Sequence, residues 1–370
     1  MKILLVTNRV KTYPLMYRII IDTIHELGHD IVWAGDFSGF IGDISQIPCV
    51  VRNIGIHSNP LKLTNIKAYH QLLHIIDELG INALMCNTPI GGTLGRLVAK
   101  KKRIEPVVYT AHGFLFFRGA PLINRTLYKW IEMWLAHYTD TLITITSEDY
   151  EAAKRFKLRN DSTPYYIHGA GIQLGRCVKV SRNEKRDEIG VPKESFMLLS
   201  AGDLNKNKNT SVMVRALAEL KNENIHFVAC GLGPEEHNLR SLACRLGVED
   251  RFHLLGYRTD IFELLAVSDA FVMMSFREGL PRSVMEAMDM GLPCIGSDTR
   301  GVRDLIDVDK GGYICNPRNP KEFASAIKLL FDNYDERIMF GQYNREKVKP
   351  YSCDIVKQEL IVIYRNVFNS

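Results

Sequence analysis

Short apolar or β-branched runs alternate with longer helix-like segments along almost the whole chain, and this alternation constrains the fold more than any other feature. In the first half the strand-like runs are Ile3 to Thr7, Asp30 to Ala34, Ala83 to Cys86, Pro106 to Thr110, Thr141 to Thr146 and Tyr165 to His168. Periodic segments such as Leu15 to Leu27 and Asn65 to Leu79 lie between most of them. Such a pattern predicts a parallel sheet wrapped by helices.

One polar stretch interrupts the alternation. Residues 173–195 are charged and poor in aromatics, which is typical of an interdomain linker. The alternation then restarts at Phe196. The sequence therefore predicts an α/β protein with two doubly wound, Rossmann-like domains, residues 1–172 and 196–350, followed by an amphipathic helix in residues 351–370. Ligands of such folds bind at the carboxyl ends of the strands, so we expect the domains to face each other across a cleft.

Composition excludes several classes of protein. The chain has 370 residues, of which 46% are hydrophobic and 24% charged, as in an ordinary globular protein. No window reaches the ~18 uninterrupted apolar residues of a membrane span, and the apolar start is too brief for a signal peptide, so we expect a cytoplasmic protein. The eight cysteines and eleven histidines lack metal-binding spacing, so we expect no metal.

Positive charge is concentrated in the first half of the chain. Residues 1–180 carry 21 Lys and Arg against 14 Asp and Glu, a net charge of +7, whereas residues 181–370 carry 26 against 28, a net charge of −2. The overall charge of +5 is too small to indicate nucleic acid. The asymmetry favours an acidic partner or an anionic membrane surface, with a chance imbalance as the alternative.

Two carboxylates stand around a predicted helix start in "SFREGLPRSVMEAMDMGLPC", which begins at Ser275. Glu278 lies on the loop after a strand-like run, Pro281 suits the first helical turn, and Glu286 lies one to two turns inside the helix. Because a helix N-terminus attracts anions, this stretch predicts a phosphate pocket flanked by acceptors for sugar hydroxyls. The alternative is that both glutamates are solvated charges.

Other strand ends carry further candidates. In "GDLNKNKN", Asp203, Lys206 and Lys208 lie between a strand and a helix, where lysines can neutralise a diphosphate. The alternative is a solvated polar loop that binds no ligand. In "LGYRTDI", Tyr257 and Arg258 are expected at the same rim. The sequence has no G-x-G-x-x-G after its first strand, no Walker A motif and no G-x-S-x-G elbow.

The most unusual stretch is "TAHGFLFFRGAPLINRTLYKWIEMWLAHYT" in the first domain. His112 follows a buried strand, the position at which such folds place ligands, but a lone histidine is also a common loop residue. The aromatic and cationic side chains that follow indicate either a membrane-interface surface or an amphipathic helix packed into the core. These residues are Phe114, Phe116, Phe117, Arg118, Arg125, Lys129, Trp130 and Trp134.

Taken together, these motifs resemble those of family-4 retaining glycosyltransferases of the GT-B type, in the branch that assembles bacterial capsular polysaccharide or exopolysaccharide. The resemblance covers nearly the whole chain and is densest from Phe196 to Tyr313, in "GDLNKNKN", "CGLGP", "LGYRTDI", "SDAFVMMSFREGLPRSVMEAMDMGLPCIGSDTRG" and "GGYIC". It implies that the last helix crosses back to the N-terminal domain. The acceptor would bind to that domain and the nucleotide sugar to the second.

The resemblance also implies roles for single residues. Glu278 and Glu286 match the E-x7-E pair, whose first member contacts the donor sugar and whose second holds the ribose. Lys208 matches the phosphate lysine and His112 the acceptor-side histidine. The remaining donor-site residues implied by position are Gly279, Leu280, Ser283, Val284, Tyr257 and Arg258. Asp203 departs from the family, which often has an arginine there, and Lys206 is a candidate replacement for that cation.

The function implied is retaining transfer of a hexose or N-acetylhexosamine from a nucleoside-diphosphate sugar to a lipid-linked saccharide. UDP is the expected nucleotide of the donor. The nucleotide sugar is a co-substrate, and neither a cofactor nor a metal is expected. The partners are the donor, the lipid-linked acceptor and an anionic membrane surface, without nucleic acid; the protein would be peripheral on the inner face of the cell membrane. A nucleotide-sugar epimerase and a non-catalytic nucleotide-sugar-binding subunit remain the alternatives.

Overall fold

The computed structural model describes residues 1–369 and divides the chain into two compact units. The first unit contains Met1–Gly171 together with Cys353–Ser370, and the second contains Ile172–Ser352. Each unit is an α/β layer structure with its own parallel sheet, as the alternation of strand-like and helix-like segments predicts. Within residues 1–369, no helix combines the length and the apolar character that crossing a bilayer requires.

The first unit has a seven-stranded parallel sheet in the order β3-β2-β1-β4-β5-β6-β7. Its strands are β1 (Lys2–Arg9), β2 (Asp30–Asp36), β3 (Val50–Asn53), β4 (Ala83–Asn87), β5 (Val107–Ala111), β6 (Thr141–Thr144) and β7 (Tyr165–Tyr166). The central strands β4 and β5 are buried along their whole length, which explains their continuous apolar sequences. The strand order reverses between β1 and β4, so a crevice is expected at their carboxyl ends.

Six α-helices accompany this sheet: α1 (Leu15–Glu26), α2 (Thr64–Leu79), α3 (Pro89–Lys102), α4 (Lys129–Ala136), α5 (Ser147–Ala153) and, from the end of the chain, α14 (Cys353–Phe368). A π-helical turn, Asn124–Tyr128, leads directly into α4. The helix α3 packs between α2 and α4, whereas α14 packs on α1. The connection through α1 leads from β1 towards β3, whereas the connections through α2, α3 and α4 lead in the opposite direction along the sheet. Right-handed crossovers that lead in opposite directions lie on opposite faces, so α2, α3 and α4 cover one face and α1 the other.

The second unit has a six-stranded parallel sheet in the order β10-β9-β8-β11-β12-β13. Its strands are β8 (Phe196–Ala201), β9 (Ile225–Cys230), β10 (Phe252–Gly256), β11 (Ala270–Met273), β12 (Cys294–Ser297) and β13 (Gly312–Cys315). Its helices are α6 (Arg182–Glu188), α7 (Ser211–Glu219), α8 (Glu236–Leu246), α9 (Ile261–Ala266), α10 (Arg282–Asp289), α11 (Arg300–Leu305), α12 (Pro320–Asp332) and α13 (Tyr334–Lys347). Two apolar clusters cover the two faces of the sheet.

Residues 173–195, the predicted linker, lie within the second unit. Arg186 on α6 explains why, because its side chain is fully buried and donates to Asp269 at 2.7 Å. The same guanidinium also donates to the backbone carbonyls of Lys193, Ser195 and Val267. A buried charge needs such partners, so these contacts fix the charged segment against the second sheet.

The aromatic stretch after β5 divides between the core and the surface. Phe114 and Phe116 are buried and stack on each other with ring centroids 4.8 Å apart, so the core interpretation holds for them. Trp130 and Trp134 on α4 keep 63% and 36% of their surface exposed, so for them it does not hold. The stretch therefore anchors its first half in the first unit and presents its second half to solvent.

Candidate active site

The strand order of the second sheet reverses between β8 and β11, which lie side by side at its centre. The chain turns to one side after β8 and to the other side after β11, so their carboxyl ends form the topological switch point, where such folds bind ligands. Residues 202–210 follow β8 and residues 274–281 follow β11. These two loops carry most of the residues that the sequence predicts for the donor site.

An ion pair joins the two loops. The ammonium group of Lys208 lies 2.8 Å from a carboxylate oxygen of Glu278, and the side chains are 26% and 13% exposed. The structure thus brings together a cation and an anion that are 70 residues apart in sequence. Lys208 still has two further donor hydrogens, and the carboxylate has further acceptor sites, so the pair can bind polar groups of a ligand.

Asparagine side chains hold the loops in register. The side-chain amide of Asn207 donates to the carbonyl of Arg277 at 3.0 Å, and its backbone carbonyl accepts from the amide of Phe276 at 2.8 Å. Asn209 is buried and donates to Met274 at 3.1 Å and to Pro317 at 2.7 Å. Its φ of 54° lies in the left-handed region, which asparagine tolerates better than most residues. Both loops are therefore preorganised around the Lys208–Glu278 pair.

The β11 loop is also held from its other side, by β12 and α11. The Ser297 hydroxyl donates to the carbonyl of Ser275 at 2.6 Å, and the buried Arg300 donates to the carbonyl of Glu278 at 3.3 Å. At Gly301 an added Cβ would come within 1.4 Å of the Gly279 carbonyl oxygen. Only glycine permits this close approach of α11 to the loop, which explains the glycine in the "SDTRG" motif.

The second carboxylate, Glu286, lies on α10. It pairs with Arg282 at 3.2 Å across one helical turn, and its side chain is 19% exposed. Burial raises the pKa of Glu286, whereas the nearby Arg282 and Arg176 lower it by a smaller amount. A carboxylate that is mostly buried and paired through a single contact is suited to accept hydrogen bonds from hydroxyl groups of a ligand.

The start of α10 supplies backbone donors close to Glu278. Pro281 precedes the helix, and its first turn contains no acidic residue. Gly279 and Leu280 lie on the loop just before it, and Ser283 is part-buried in the first turn. Val284 is different because its side chain is fully buried in the core and its amide donates to Pro281, so only its backbone lies near this site.

Asp203 and Lys206 are exposed on the β8 loop, and neither forms an ion pair with a residue in the described part of the chain.

The glycines of the "CGLGP" motif are required by close packing between two loops. An added Cβ at Gly231 would lie 1.9 Å from the carbonyl oxygen of Gly202, so the β9 loop packs directly on the β8 loop. The motif therefore has a packing role, and Lys206 stands free beside it.

Tyr257 and Arg258 are neighbours in sequence but differ in their contacts, because the first is exposed and the second is ion-paired. Tyr257 is 75% exposed at the end of β10. Arg258 forms ion pairs with Glu188 at 2.6 Å and with Asp260 at 2.5 Å, and its guanidinium holds the pKa of Asp260 at about 2. The charge of Arg258 is thus compensated within the second unit, whereas the ring of Tyr257 is exposed.

His112 lies in the first unit, immediately after β5. One ring nitrogen of the part-buried His112, Nε2, lies 3.4 Å from the side-chain amide nitrogen of Asn87, at the end of the neighbouring strand β4. Burial lowers the pKa of His112 to about 4, so the imidazole is neutral near neutral pH. A neutral imidazole can accept one hydrogen bond and donate another, as a hydroxyl-binding residue must.

Sequence reasoning missed three residues that support these sites. Arg300 and Asn209 brace the Glu278 loop through backbone carbonyls, and Asn87 contacts His112. Arg300 lies inside the quoted "SDTRG" motif, so its position after β12 was a usable signal, whereas nothing local marks Asn87. Among residues 1–369, no three His, Cys, Asp or Glu side chains are grouped as metal ligands would be.

Comparison with known proteins gives the family. Residues 181–347 match the family described as glycosyl transferases group 1, and residues 19–163 match glycosyltransferase family 4. The chain is 35% identical over 319 residues to EpsD of Bacillus subtilis (strain 168), which is named as a glycosyltransferase, and the match covers 84% of each protein.

A second relative is similar in sequence, and two solved structures are similar in fold. The chain is 27% identical to the Escherichia coli UDP-Gal:alpha-D-GlcNAc-diphosphoundecaprenol alpha-1,3-galactosyltransferase, over 79% of this chain and 76% of the relative. HepE of Anabaena, solved with UDP-glucose, has the same fold with a TM-score of 0.79 at 18% identity, over 99% and 100% of the two chains. WaaG, a glycosyltransferase of lipopolysaccharide biosynthesis, has a TM-score of 0.74 at 16% identity, over 100% of both chains. The chain therefore belongs to the family-4 glycosyltransferases of the GT-B fold.

Proposed function

We propose that this protein transfers a hexose or N-acetylhexosamine from a nucleoside-diphosphate sugar to a lipid-linked saccharide, with retention of the anomeric configuration, during assembly of a surface polysaccharide. The observation that carries the proposal is the Lys208–Glu278 pair at the switch point of the second sheet, 2.8 Å apart and beside the start of α10. Such a site offers a cation, backbone donors and a carboxylate to a diphosphate that carries a sugar.

The relatives support the choice of substrates. The Escherichia coli relative is named for a UDP-galactose donor and a diphosphoundecaprenol-linked acceptor. A Campylobacter jejuni relative, 24% identical, is likewise named for a diphospho-undecaprenol-linked acceptor. HepE, which shares the fold, was solved with UDP-glucose. A UDP-sugar donor and a polyprenyl-diphosphate-linked acceptor are therefore the substrates that we propose, for a capsule or an exopolysaccharide.

The roles of the donor-site residues follow from their chemistry. Lys208 and the amides of Gly279, Leu280 and Ser283 would bind the diphosphate, because all of them are hydrogen-bond donors that lie after the carboxyl ends of β8 and β11. Glu278 would accept hydrogen bonds from hydroxyls of the donor sugar. Glu286 would hold the ribose, since a carboxylate that is mostly buried binds hydroxyls strongly. The exposed ring of Tyr257 would stack on the base.

The reaction then needs little from the protein beyond placement and charge. The bond between the anomeric carbon and the diphosphate oxygen breaks with its electron pair going to the diphosphate, and Lys208 and the start of α10 stabilise the charge that develops. The acceptor oxygen attacks from the same face, and its proton passes to the departing phosphate. This charge balance requires no metal ion and no cofactor, and neither glutamate acts as a nucleophile. His112, neutral near neutral pH, would bind a hydroxyl on the acceptor side.

A lipid-linked acceptor is met at a membrane. We therefore place the protein at the inner face of the cell membrane as a peripheral protein, where nucleotide sugars of the cytoplasm and polyprenyl-linked acceptors are both available.

The test is release of nucleoside diphosphate by the purified protein from a panel of nucleotide sugars, with and without a polyprenyl-diphosphate-linked sugar. We expect acceptor-dependent release from one donor, and loss of donor affinity by calorimetry in Glu286→Ala. Glu236→Ala is the matched control, because that exposed glutamate also pairs with an arginine one helical turn away, at 2.9 Å. A free epimerised nucleotide sugar without acceptor would show an epimerase, and binding without any turnover would show a binding subunit.

A further inference from the structure

Two buried hydroxyl groups of the first unit line the same small cavity. They belong to Tyr364 on α14 and Thr110 on β5, and neither oxygen has a hydrogen-bond partner within residues 1–369. A buried hydroxyl without a partner is rare in folded proteins, because it loses its hydrogen bonds to water and gains none in return. Two such groups on one cavity indicate that the cavity holds a polar ligand.

The cavity lies between the sheet of the first unit and the helices α1 and α14. Tyr109 and Ala111, the neighbours of Thr110 in β5, belong to the apolar cluster on the side of α2 and α3. Because side chains alternate across a strand, Thr110 points to the opposite face, which α1 covers and on which α14 packs against α1. Much of the remaining lining is aliphatic and comes from these helices, for example from Ile20 and Leu360.

The ring of His112 lines the same cavity. Its Nε2 lies 3.4 Å from the side-chain amide nitrogen of Asn87, the residue that pairs with Thr110 between β4 and β5. An amide nitrogen can only donate, so Nε2 is the acceptor of this contact, and a neutral ring then carries its proton on Nδ1. Within residues 1–369 Nδ1 has no hydrogen-bond partner, so it is available as a donor to the cavity.

The cavity has the size of a single water site. Its volume is about 10 Å³, counted as the space open to the centre of a water molecule. One buried water needs about 10–15 Å³ on this measure and typically makes about three hydrogen bonds. Tyr364, Thr110 and His112 supply polar groups for that number of bonds. A sugar or a phosphate is too large for this space, and no lysine or arginine lines it to compensate an anion.

We propose that one water molecule binds in this cavity and that Tyr364 and Thr110 act through it as positioning residues for His112. The water accepts hydrogen bonds from Nδ1 of His112 and from the hydroxyl of Tyr364. It donates one to the hydroxyl oxygen of Thr110. Each of the three protein groups thereby gains the partner that burial requires.

This water determines which nitrogen of His112 faces the acceptor as a hydrogen-bond acceptor. The inference rests on the proposed function, in which His112 binds an acceptor hydroxyl, and it names the residues that prepare the ring for that role. The position of the proton on a histidine is set by the hydrogen bond that the other nitrogen makes. With Nδ1 donating to the water, Nε2 stays unprotonated and accepts the hydrogen of an acceptor hydroxyl. Because α14 carries Tyr364, the last helix contributes to the acceptor side of the first unit.

Removal of the two hydroxyls tests the water site. Tyr364→Phe and Thr110→Val each delete a buried hydroxyl without adding a charge, and a thermal melt of the full-length protein checks that the double variant is folded. Magnetic relaxation dispersion of the solvent water counts the internal waters that exchange slowly. The double variant should hold one such water fewer than the parent. Equal counts in the two folded proteins would overturn the proposed site.

The tautomer of His112 tests the positioning role. In isotope-labelled protein the chemical shifts of the ring nitrogens report protonation, and the signal of His112 is the one that disappears in His112→Gln. Near neutral pH the parent should show an unprotonated Nε2, and the double variant should move towards the other tautomer. Thr110→Ser, which keeps a hydroxyl, should keep the parent tautomer. A protonated Nε2 in the parent, or the same tautomer in the double variant, would refute the inference.

Thr23→Val is the matched control. The hydroxyl of Thr23 on α1 is also buried without a partner in the described residues, but it does not line this cavity. Its removal should leave the tautomer of His112 as it is in the parent. A change as large as that of the double variant would assign the effect to the loss of any buried hydroxyl and would contradict the water-mediated contact.

Kinetics separate this inference from the proposed function. In the transfer assay the double variant should lower kcat/KM for the acceptor by about 3- to 10-fold, the effect of one hydrogen bond between neutral groups, and leave KM for the donor unchanged. If the parent shows no transfer but the water count and the tautomer respond as expected, the proposed function fails and the water site stands. If transfer occurs and the double variant changes neither the tautomer nor kcat/KM, this inference fails alone.

Discussion

Lys208→Gln gives the most direct test of the donor site. This substitution keeps a polar side chain, one atom shorter than that of lysine, but removes the charge that lies 2.8 Å from Glu278. In the proposed reaction Lys208 stabilises the negative charge that develops on the departing diphosphate. Two unit charges about 4 Å apart interact by about 4 kcal/mol at the effective dielectric constant of a site near a protein surface, and by about 1 kcal/mol in water.

The side chain of Lys208 is about one quarter exposed, so the loss should lie towards the upper of these values. We expect about 3–4 kcal/mol, which corresponds to a fall of roughly 10²- to 10³-fold in kcat. The effect on stability should be small by comparison. Both members of the pair are partly exposed, so about 1 kcal/mol should be lost, which lowers Tm by about 2–4 °C for a unit of this size.

The assay is nucleoside diphosphate release at saturating donor and acceptor, together with a thermal melt. Lys206→Gln is the control, since Lys206 lies two residues earlier on the same loop, is exposed and forms no ion pair with a described residue. It should change kcat by less than about 3-fold, as surface substitutions usually do. If Lys208→Gln also left kcat within about 3-fold of the parent, the electrostatic role would be refuted. An equal fall in both variants would assign the effect to the net charge of the loop.

Three further predictions follow from contacts elsewhere. Gly301→Ala should displace the Gly279 carbonyl, cost about 1–3 kcal/mol and weaken donor binding by calorimetry, whereas Gly55→Ala, with 3.8 Å of space, should do neither. Arg186→Met should lower the free energy of unfolding in denaturant by about 3–5 kcal/mol, because it removes the fully buried partner of Asp269 and the donor to three backbone carbonyls; an effect no larger than that of Arg182→Gln, which removes the more exposed partner of the same carboxylate, would contradict this. Because the pKa of His112 is lowered from 6.5 to about 4, the unfolded chain takes up that proton first, and stability is lost as the pH falls below 6.5. Between pH 7 and pH 5 the parent should therefore lose about 1–2 kcal/mol more than His112→Gln, and an NMR titration of the ring that found a midpoint near 6.5 would contradict it.

Local sequence signals were enough to predict the elements that hold the donor site. The apolar run from Ala270, the proline at 281 and the glycine at 291 locate β11 and α10 to within about a residue, because each signal acts on its own backbone. The sequence also places Lys208 and Glu278 on loops that follow strands, and the observed strand order, with β8 beside β11, explains why these two loops meet. What was predicted correctly thus depended on local chemistry and on a rule of topology.

Contacts between distant residues could not be predicted in this way. The sequence places Arg258 at the nucleotide rim, but nothing in it indicates that the guanidinium also pairs with Glu188, 70 residues earlier. The charged segment at 173–195 has the composition of a linker, and only the burial of Arg186 against Asp269 shows that it belongs to the second unit. Pairing partners of this kind depend on the complete fold, and a single sequence carries no sign of them.

Two elements of the first unit differ from the sequence prediction. The strand β3 was missed because its four residues, Val50–Asn53, form no apolar run and are only partly buried. The periodic segment Leu94 to Arg103 predicts a helix, but α3 begins earlier, at Pro89. The glycines in its first turns disfavour a helix locally, yet an added Cβ at Gly92 would lie 2.4 Å from the ring of Tyr109. Glycine is thus required there by packing against β5 and not by backbone conformation.

The division of the chain into units has a consequence for biosynthesis. The second unit is one continuous stretch, Ile172–Ser352, whereas the first unit is completed only by α14, which is made after the whole of the second unit. Until Leu360, Tyr364 and Phe368 leave the ribosome, the side of α1 that packs on α14 stays exposed. The second unit can therefore finish folding while the first, although begun earlier, still waits for its final helix. A nascent chain that stalls before α14 would therefore leave that surface of α1 open to other apolar segments.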